Sequence, residues 1–103
     1  AFHGYLPARE PERSRRIGEL ERESQKSAQT QLFIETPYRN AALVDALIAA
    51  CRPDTLLCLA TDLTLASARI TTRSVAAWRR AFDKSASADL LRRPTVFLLL
   101  SGC

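Results

Sequence analysis

The sequence predicts an α/β domain in which helices flank a five-stranded mixed sheet. Short apolar runs of strand length alternate with segments of helical periodicity, in the order β-α-β-α-β-β-α-β. The last run, residues 95–100, is apolar on both faces, which is typical of a central strand. The 103 residues are 47% hydrophobic and 25% charged, as expected for one folded domain spanning 1–103.

The first predicted strand covers residues 2–6, and a helix is expected over about 11–26. This helix is dense in Glu and Arg and offers only two large apolar side chains, Ile17 and Leu20, on one narrow face. We therefore expect a mobile, weakly anchored helix or a partly disordered segment.

Two buried strands, residues 31–35 and 56–60, occupy the middle of the chain. Pro37 ends the first of them, because proline restricts the residue before it to extended backbone. Asn40 is expected to cap the helix that follows, whose apolar residues recur at helical spacing over 43–51.

The last third begins with an alternating segment, residues 70–73, that indicates an exposed or edge strand. Ser74 is expected to cap a helix in which Val75 and Trp78 share one face. Residues 83–93 are polar and are predicted to form a loop.

The net charge of +4 is unevenly distributed. Residues 69–93 contain seven Lys or Arg and two Asp, so they are expected to face either nucleic acid, another polyanion or solvent. Cys51, Cys58 and Cys103 form no CxxC pair, and the single His3 completes no zinc spacing with them. We expect unpaired thiols, no metal site and a reducing, cytoplasmic location.

No apolar run approaches the roughly 20 residues that a bilayer-spanning helix needs, so no membrane association is expected. The chain begins without Met and without a basic, then apolar, leader. The sequence therefore indicates no signal peptide and suggests a piece of a longer protein.

Motifs of common enzymes do not occur in the sequence. It has no GxGxxG or GxxxxGK[ST] phosphate loop, no GxSxG nucleophile elbow and no HExxH. No catalytic residue is therefore assigned from a motif.

Polar residues instead follow the predicted buried strands. Three such segments occur, 35–40, 61–64 and 101–102. Ligands of α/β sheets bind at strand ends, and we expect the three segments to converge on one rim. There Arg39 can bind a phosphate or carboxylate, while Glu35 and Asp62 can accept from a hydroxyl or an amine. The alternative is that Arg39 pairs internally with Glu35 or Asp62.

Three stretches, in this order and spacing, resemble the C-terminal half of the tetrapyrrole (corrin/porphyrin) methylase family. They are FHGYLP at 2–7, FIETPYRN at 33–40 and ATDLT at 60–64. The resemblance covers nearly the whole chain and points to the branch of the small-subunit ribosomal RNA ribose 2'-O-methyltransferase and its uncharacterised relatives. It departs at Tyr38, where the ribosomal RNA enzymes carry His, and at Leu65, where they carry Lys.

The resemblance implies a C-terminal subdomain of a two-domain methyltransferase that depends on S-adenosylmethionine. The N-terminal half, with the glycine-rich loops that hold most of the cofactor, is not in this sequence. This domain would form one wall of the cofactor and substrate cleft and would be inactive alone. The family usually forms homodimers, and RNA is a possible substrate.

The resemblance also implies site residues. The expected cofactor-binding residues are Ile34, Glu35, Thr36, Leu99 and Leu100. The expected substrate-binding residues are Tyr5, Pro37, Tyr38, Arg39, Asn40, Asp62 and Thr64. Two alternatives remain at this point: a nucleic-acid-binding module that uses residues 69–93, and a structural dimerisation domain.

Overall fold

The computed structural model describes residues 1–82 and 92–101. Its strands are β1 (Phe2–Tyr5), β2 (Gln31–Ile34), β3 (Leu56–Thr61), β4 (Arg69–Ser74) and β5 (Thr95–Leu100). Its helices are α1 (Glu12–Ser27), α2 (Asn40–Ala50) and α3 (Val75–Ala81), with a 3-10 turn, Pro37–Arg39, before α2. The predicted element order is confirmed, whereas most of the loop predicted at 83–93 lies outside the described residues.

The five strands form one mixed sheet in the order β1-β2-β5-β3-β4. β1 pairs with β2 in parallel, and the other three pairings are antiparallel. β5 is the central strand and β4 is an edge strand, as the apolar and alternating patterns predicted. β2 and β3 therefore run in the same direction, with β5 running the opposite way between them.

The three helices pack on one face of this sheet. Phe33, Leu57 and Phe97 point from neighbouring strands into the same apolar core as Leu20 of α1 and Leu47 of α2. The rings of Phe33 and Phe97 stack with their centroids 5.7 Å apart. Because these side chains are fully buried, each contributes about 1.5–3 kcal/mol of hydrophobic stabilisation. Within the described part of the chain, each helix is too short or too polar to cross a bilayer.

α1 is firmly packed, so the prediction of a weakly anchored or disordered segment is wrong. Its buried residues are Arg13, Ile17, Leu20, Glu21 and Ser24, which share one face of the helix. Glu21 Oε2 accepts a hydrogen bond from the backbone N–H of Arg52 at 2.7 Å and another from the hydroxyl of Thr55. Three of the five inward-facing residues are polar. The pattern of apolar residues alone therefore predicted weaker packing of α1 than the structure has.

α3 begins as the sequence predicts. Ser74 has extended backbone, and its Oγ accepts from the backbone N–H of Ala77 at 3.1 Å. Trp78, on the inward side of α3, is buried and donates its indole N–H to the carbonyl of Leu57 at 2.8 Å. The cap and the Trp78 contact fix the helix against β3.

Candidate functional site

Three strands end at one rim of the sheet, and the other two begin there. β1, β2 and β3 end there, and β5 begins there, since Ile34 and Ala60 both lie opposite Val96. β4 also begins there, since Arg69 lies opposite Thr61. The loops after β2 and β3 therefore flank the first residues of β5. This is the rim at which the sequence placed residues 35–40 and 61–64.

A cleft of about 560 Å³ lies at this rim. Its lining is Tyr5, Ile34, Glu35, Pro37, Ala60, Asp62, Leu63, Thr64, Leu65, Pro94, Thr95 and Val96. The lining is mostly apolar and carries two carboxylates, one after β2 and one after β3. Such a cleft is the usual form of a small-molecule site.

Glu35 holds the end of β2 in place. Its side chain is 1% exposed, and Arg13 Nη2 donates to its Oε2 at 3.1 Å. Arg39 Nη1 lies 3.7 Å from Oε1, and the backbone N–H of Thr36 donates to the same oxygen at 2.8 Å. The internal pairing of Arg39 with Glu35, one of the two alternatives for this arginine, is therefore present. Two guanidinium groups therefore lie beside this carboxylate, and the closer one, from Arg13, is buried with it.

Asp62 occupies the equivalent place after β3. Its backbone is left-handed, with φ 53°, a conformation that Asp tolerates better than most residues. The carboxylate accepts from Arg93 Nη1 at 2.8 Å and from Ser67 Oγ at 3.1 Å, and its side chain is 2% exposed. The backbone N–H of Asp62 donates to the carbonyl of Pro94 at 3.0 Å. Asp62 thus fixes both the loop after β3 and the entry to β5.

Tyr38 and Arg39 form an exposed pair beside the cleft. Tyr38 is 72% exposed, and the Arg39 guanidinium lies 5.0 Å from its ring centroid. Arg39 Nη2 also donates to the Tyr38 hydroxyl at 2.9 Å. Neither residue lines the cleft, so both stay predicted substrate-binding residues at its margin.

Asn40 does not cap α2, contrary to the sequence-based expectation. Arg39 is the residue before the helix, and no side chain caps it. Asn40 is instead the buried first residue of α2, and its Nδ2 donates to the carbonyl of Arg93 at 2.9 Å and to the hydroxyl of Thr95. A local cap was predicted because the partners of Asn40, Arg93 and Thr95, are 53 and 55 residues away in sequence. Asn40 therefore lies under the rim and ties α2 to β5.

The three polar segments were expected at one rim, and this prediction is wrong for the third segment, residues 101–102. β5 runs antiparallel to β2 and β3, so Leu99 lies opposite Gln31 and Leu100 opposite Leu56, at the starts of those strands. Ser101 therefore lies at the far end of the sheet, where its backbone N–H donates to Ser24 Oγ at 2.9 Å. Leu99 is also fully buried in the core. Cofactor contacts by Leu99 and Leu100 stay a prediction that this rim does not support, and Gly102 lies outside the described residues.

Half of the predicted site residues line the cleft together. They are Tyr5, Ile34, Glu35, Pro37, Asp62 and Thr64. Thr36 lies at the rim, where its carbonyl accepts from the backbone N–H of Arg39 at 2.8 Å, but it does not line the cleft. Sequence reasoning missed Arg13 and Arg93, which bind the two carboxylates. Arg13 precedes Ile17 by four residues on the inward face of α1, and that spacing was the available signal.

The basic segment, residues 69–93, has arginines that contact other residues of the protein. The Arg73 guanidinium lies 4.8 Å from the centroid of the Trp78 ring system, and Arg79 Nη2 donates to the carbonyl of Ile48 at 2.7 Å. Together with Arg93 on Asp62, three of its described arginines have protein partners. Residues 83–91 of this segment lie outside the description.

Cys51 and Cys58 carry free thiols in the structure. Burial, followed by the negative charge of Glu21, raises the pKa of the Cys51 thiol to about 12. No three His, Cys, Asp or Glu side chains within residues 1–82 and 92–101 are grouped closely enough to hold a metal ion.

Comparison with known proteins identifies a structural neighbour. The fold is similar to that in the crystal structure of the methyltransferase CobJ, with a TM-score of 0.51 and 16% sequence identity. The match covers 96% of this chain and 40% of that protein. The predicted fold class, an α/β domain of methylase-like architecture, is therefore confirmed. No family model matches the sequence, and no curated protein matches it.

Proposed function

We propose that this chain is the C-terminal domain of an S-adenosylmethionine-dependent methyltransferase of the tetrapyrrole methylase type. Its rim cleft would form one wall of the cofactor and substrate site. The observation that carries the proposal is the meeting of Ile34, Glu35, Asp62 and Thr64 around one cleft. The sequence resemblance pointed to these residues, and the methylase-like fold supports the same conclusion.

The cleft residues fit the chemistry of S-adenosylmethionine. Ile34, Ala60 and Val96 offer an apolar surface for a flat purine ring, and Asp62 and Thr64 offer oxygens to amine or hydroxyl groups. The volume of about 560 Å³ is within the usual range of ligand sites. When bound, the cofactor supplies a methyl group already activated by its sulfonium, so the protein mainly has to position donor and acceptor.

The two carboxylates of the cleft act as positioning groups in this proposal. Glu35 is paired with Arg13 and Arg39, and Asp62 is paired with Arg93. Both carboxylates already accept hydrogen bonds from guanidinium groups of this chain, so they are engaged in holding the rim together. Proton transfer from the acceptor is therefore assigned to groups outside these two residues.

The second wall of the cleft is proposed to come from an N-terminal methylase domain. The chain spans 40% of the length of CobJ, which leaves room in a protein of that size for such a domain. The free thiols of Cys51 and Cys58 suit a reducing compartment such as the cytoplasm. The ribosomal RNA branch of the family stays a prediction.

A nucleic-acid-binding module is the less favoured alternative. Arg73, Arg79 and Arg93 each have a partner within the protein, which leaves fewer guanidinium groups directed only to solvent. Binding through this segment would weaken steeply as salt concentration rises. Replacing the exposed Arg80 should then reduce RNA affinity, whereas the methyltransferase proposal requires no such effect.

Calorimetry with S-adenosylhomocysteine tests the proposed function. With one wall of the site, the chain should bind this cofactor product only weakly, with a dissociation constant on the order of 1 mM. Thr64→Trp, which fills the cleft mouth, should weaken binding at least about tenfold. Ala66→Trp is the matched control, since Ala66 is exposed in the same loop but does not line the cleft. Tight binding by the wild-type chain, or equal effects of the two variants, would overturn the proposal.

A further inference from the structure

The two edge strands of the sheet, β1 and β4, differ in their regularity. β1 pairs with β2 through a register shift between Phe2 and Tyr5, whereas β4 pairs with β3 at six consecutive residues without a shift. Proteins keep sheet edges from pairing with further strands by means of bulges, proline, very short strands or charged side chains. β4 uses only charge, because it is regular, six residues long and free of proline. It is therefore the edge better suited to pair with a further strand.

The ladder between β3 and β4 shows which backbone groups of β4 point away from the sheet. The backbone N–H of Val75 donates to the carbonyl of Thr55 at 2.8 Å, at the end of this ladder. Because hydrogen-bonded pairs alternate along antiparallel strands, residues 69, 71 and 73 bond to β3 in the same way. The N–H and C=O groups of Ile70 and Thr72 therefore point outward, and no strand of the described chain pairs with them.

The side chains of β4 point to two sides of the sheet. Arg69 and Arg73 lie on the side where the helices pack, as the contact of Arg73 with the Trp78 ring shows. Ile70 and Thr72 lie on the other side, and Ile70 is 66% exposed. A strand added at this edge would therefore meet two arginines on one side and an apolar residue on the other.

The edge carries positive charge that no carboxylate offsets. Residues 63–82 contain four arginines and no acidic residue. The residues of β3 opposite Arg69 and Arg73 are Thr61 and Leu57, both uncharged. Arg69 has no ion-pair partner among the described residues, and the ring that Arg73 contacts is uncharged. Acidic side chains on an added strand would supply the missing charge.

A second copy of β4 is a poor partner for this edge. An antiparallel pair that uses the outward groups of Ile70 and Thr72 is centred on Thr71 of both copies. It places Arg69 of each copy directly opposite Arg73 of the other. Like charges directly opposite each other across two strands are destabilising, whereas opposite charges are stabilising. The arginines therefore disfavour self-pairing and favour an acidic strand.

We propose that β4 binds an extended acidic segment of a partner protein by strand addition. The segment pairs antiparallel with β4 and bonds to the outward backbone groups of Ile70 and Thr72. Two acidic residues four positions apart lie opposite Arg69 and Arg73, whose backbones are about 14 Å apart along the strand. The main-chain bonds supply affinity, and the spacing of the two acids supplies specificity.

This surface is independent of the candidate cleft. None of the six described residues of β4 lines the cleft. β4 begins at the rim with Arg69 and runs away from it to Ser74, so the pairing edge extends toward the opposite end of the sheet. Binding at β4 therefore requires neither a cofactor nor a second domain at the rim.

Fluorescence anisotropy with two labelled peptides tests the predicted spacing. The probe GETTVEG has its acids four positions apart, on one side of an extended strand. The control GETTEVG has the same composition and charge, but its acids are three apart and lie on opposite sides. The chain should bind the probe at least about tenfold more tightly than the control. Equal affinities, or no binding of the probe at about 1 mM, would overturn the proposal.

N-methylation of the probe distinguishes strand pairing from simple charge attraction. In the proposed register, the third and fifth residues of GETTVEG bond to Thr72 and Ile70, and the fourth points away from β4. Methylating the amide nitrogen of the fifth residue should weaken binding at least about tenfold, and methylating that of the fourth by less than about twofold. Equal effects of the two methyl groups would contradict strand addition.

Variants of the protein test the same register. Arg69→Glu should weaken binding of the probe at least about tenfold, and the peptide GETTVKG, with its lysine opposite residue 69, should restore it. Arg80→Glu is the matched control, since Arg80 is exposed on α3 and the charge change is the same. Equal effects of the two variants would mean that only net charge matters, which the proposal excludes. Thr72→Pro should abolish binding while leaving the β3–β4 ladder intact, because it removes only an outward N–H.

Two other occupants of the edge are outcomes of the same experiments. A twelve-nucleotide uridine RNA that binds more tightly than the probe and is weakened by Arg69→Glu would assign the arginines to nucleic acid. A sedimentation coefficient that rises with concentration for wild type but not for Thr72→Pro would assign the edge to a second copy. Either result would overturn the proposal. The experiments omit S-adenosylmethionine and its products, so their outcome is separate from that of the proposed function.

Discussion

The guanidinium of Arg13 lies 3.1 Å from the carboxylate of Glu35, and the two side chains are only 8% and 1% exposed. This pair joins the first turn of α1 to the end of β2, where the candidate cleft begins. Arg13 Nε also donates to the carbonyl of Pro7 at 3.1 Å, so the same side chain holds the segment after β1. The buried Arg13 side chain thus connects α1 to the segments that follow β1 and β2 at the rim.

Arg13→Ala should lower the free energy of unfolding by about 3 kcal/mol, because it leaves the buried Glu35 carboxylate with only the more distant Arg39. Urea unfolding measures this change. Arg15→Ala, on the exposed side of the same helix, should change the free energy by less than about 0.5 kcal/mol. Equal losses in the two variants would mean that the pair does not anchor α1.

Ser24→Ala should cost about 1–3 kcal/mol of stability, because the buried backbone N–H of Ser101 would lose its acceptor. Ser27→Ala provides the control, since the Ser27 hydroxyl is exposed and bonds only to a carbonyl of its own helix. Thermal unfolding of the two variants should show a lower midpoint for Ser24→Ala alone. An unchanged midpoint would show that water replaces the serine at no cost.

The stability of the protein should fall as pH rises from about 9 to 12 because of Cys51. The unfolded thiol ionises near its ordinary pKa of 9.0, whereas burial and the charge of Glu21 raise the folded pKa to about 12. Within that window the unfolded state has released a proton that the folded state keeps, so the free energy of unfolding decreases with pH. Below pH 9 both states keep the proton and this contribution to stability is intact.

Denaturant unfolding of wild type and Cys51→Ala between about pH 8 and pH 10.5 isolates this effect from the other titrating groups. The wild-type free energy should decrease more steeply than that of the variant. Parallel curves would show that the Cys51 thiol titrates alike in the folded and unfolded chain.

The left-handed backbone of Asp62 should make a β-branched residue costly there. Asp62→Asn tolerates φ 53° and keeps an oxygen for the Ser67 hydroxyl, but it loses the charge that pairs with Arg93, so a loss of about 1–3 kcal/mol is expected. Asp62→Val adds backbone strain of about 1–2 kcal/mol to the lost pair. The difference between the two unfolding free energies measures the strain together with the hydrogen bond from Ser67 that Val cannot accept, and identical values would exclude it.

The sequence predicts most of the fold because the strands are short and strongly apolar. The run at 95–100 was identified as a central strand from its apolar residues on both faces, and Ser74 as a cap from its place before an amphipathic segment. The inward face of α1 was missed because Arg13, Glu21 and Ser24 are polar side chains, and each has a partner that lies 22 or more residues away. No local pattern contains those partners.

The sequence predicted part of the candidate site, and the part it missed also depends on contacts between distant residues. The polar residues after β2 and β3 were expected at one rim, and Glu35 and Asp62 do meet there. Ser101 was misplaced because an apolar run fixes the burial of a strand but not its direction. The antiparallel insertion of β5 between two strands of the same direction sends its C-terminal end to the opposite edge of the sheet.

The most direct test of the proposed methyltransferase site is a titration of the ¹⁵N-labelled chain with S-adenosylhomocysteine, followed by two-dimensional NMR. We expect changes in the backbone amide shifts of residues 34–36, 62–65 and 95–96, at cofactor concentrations of about 1 mM. Changes confined to β4 and α3, changes centred on Ser101, or none at that concentration would contradict it.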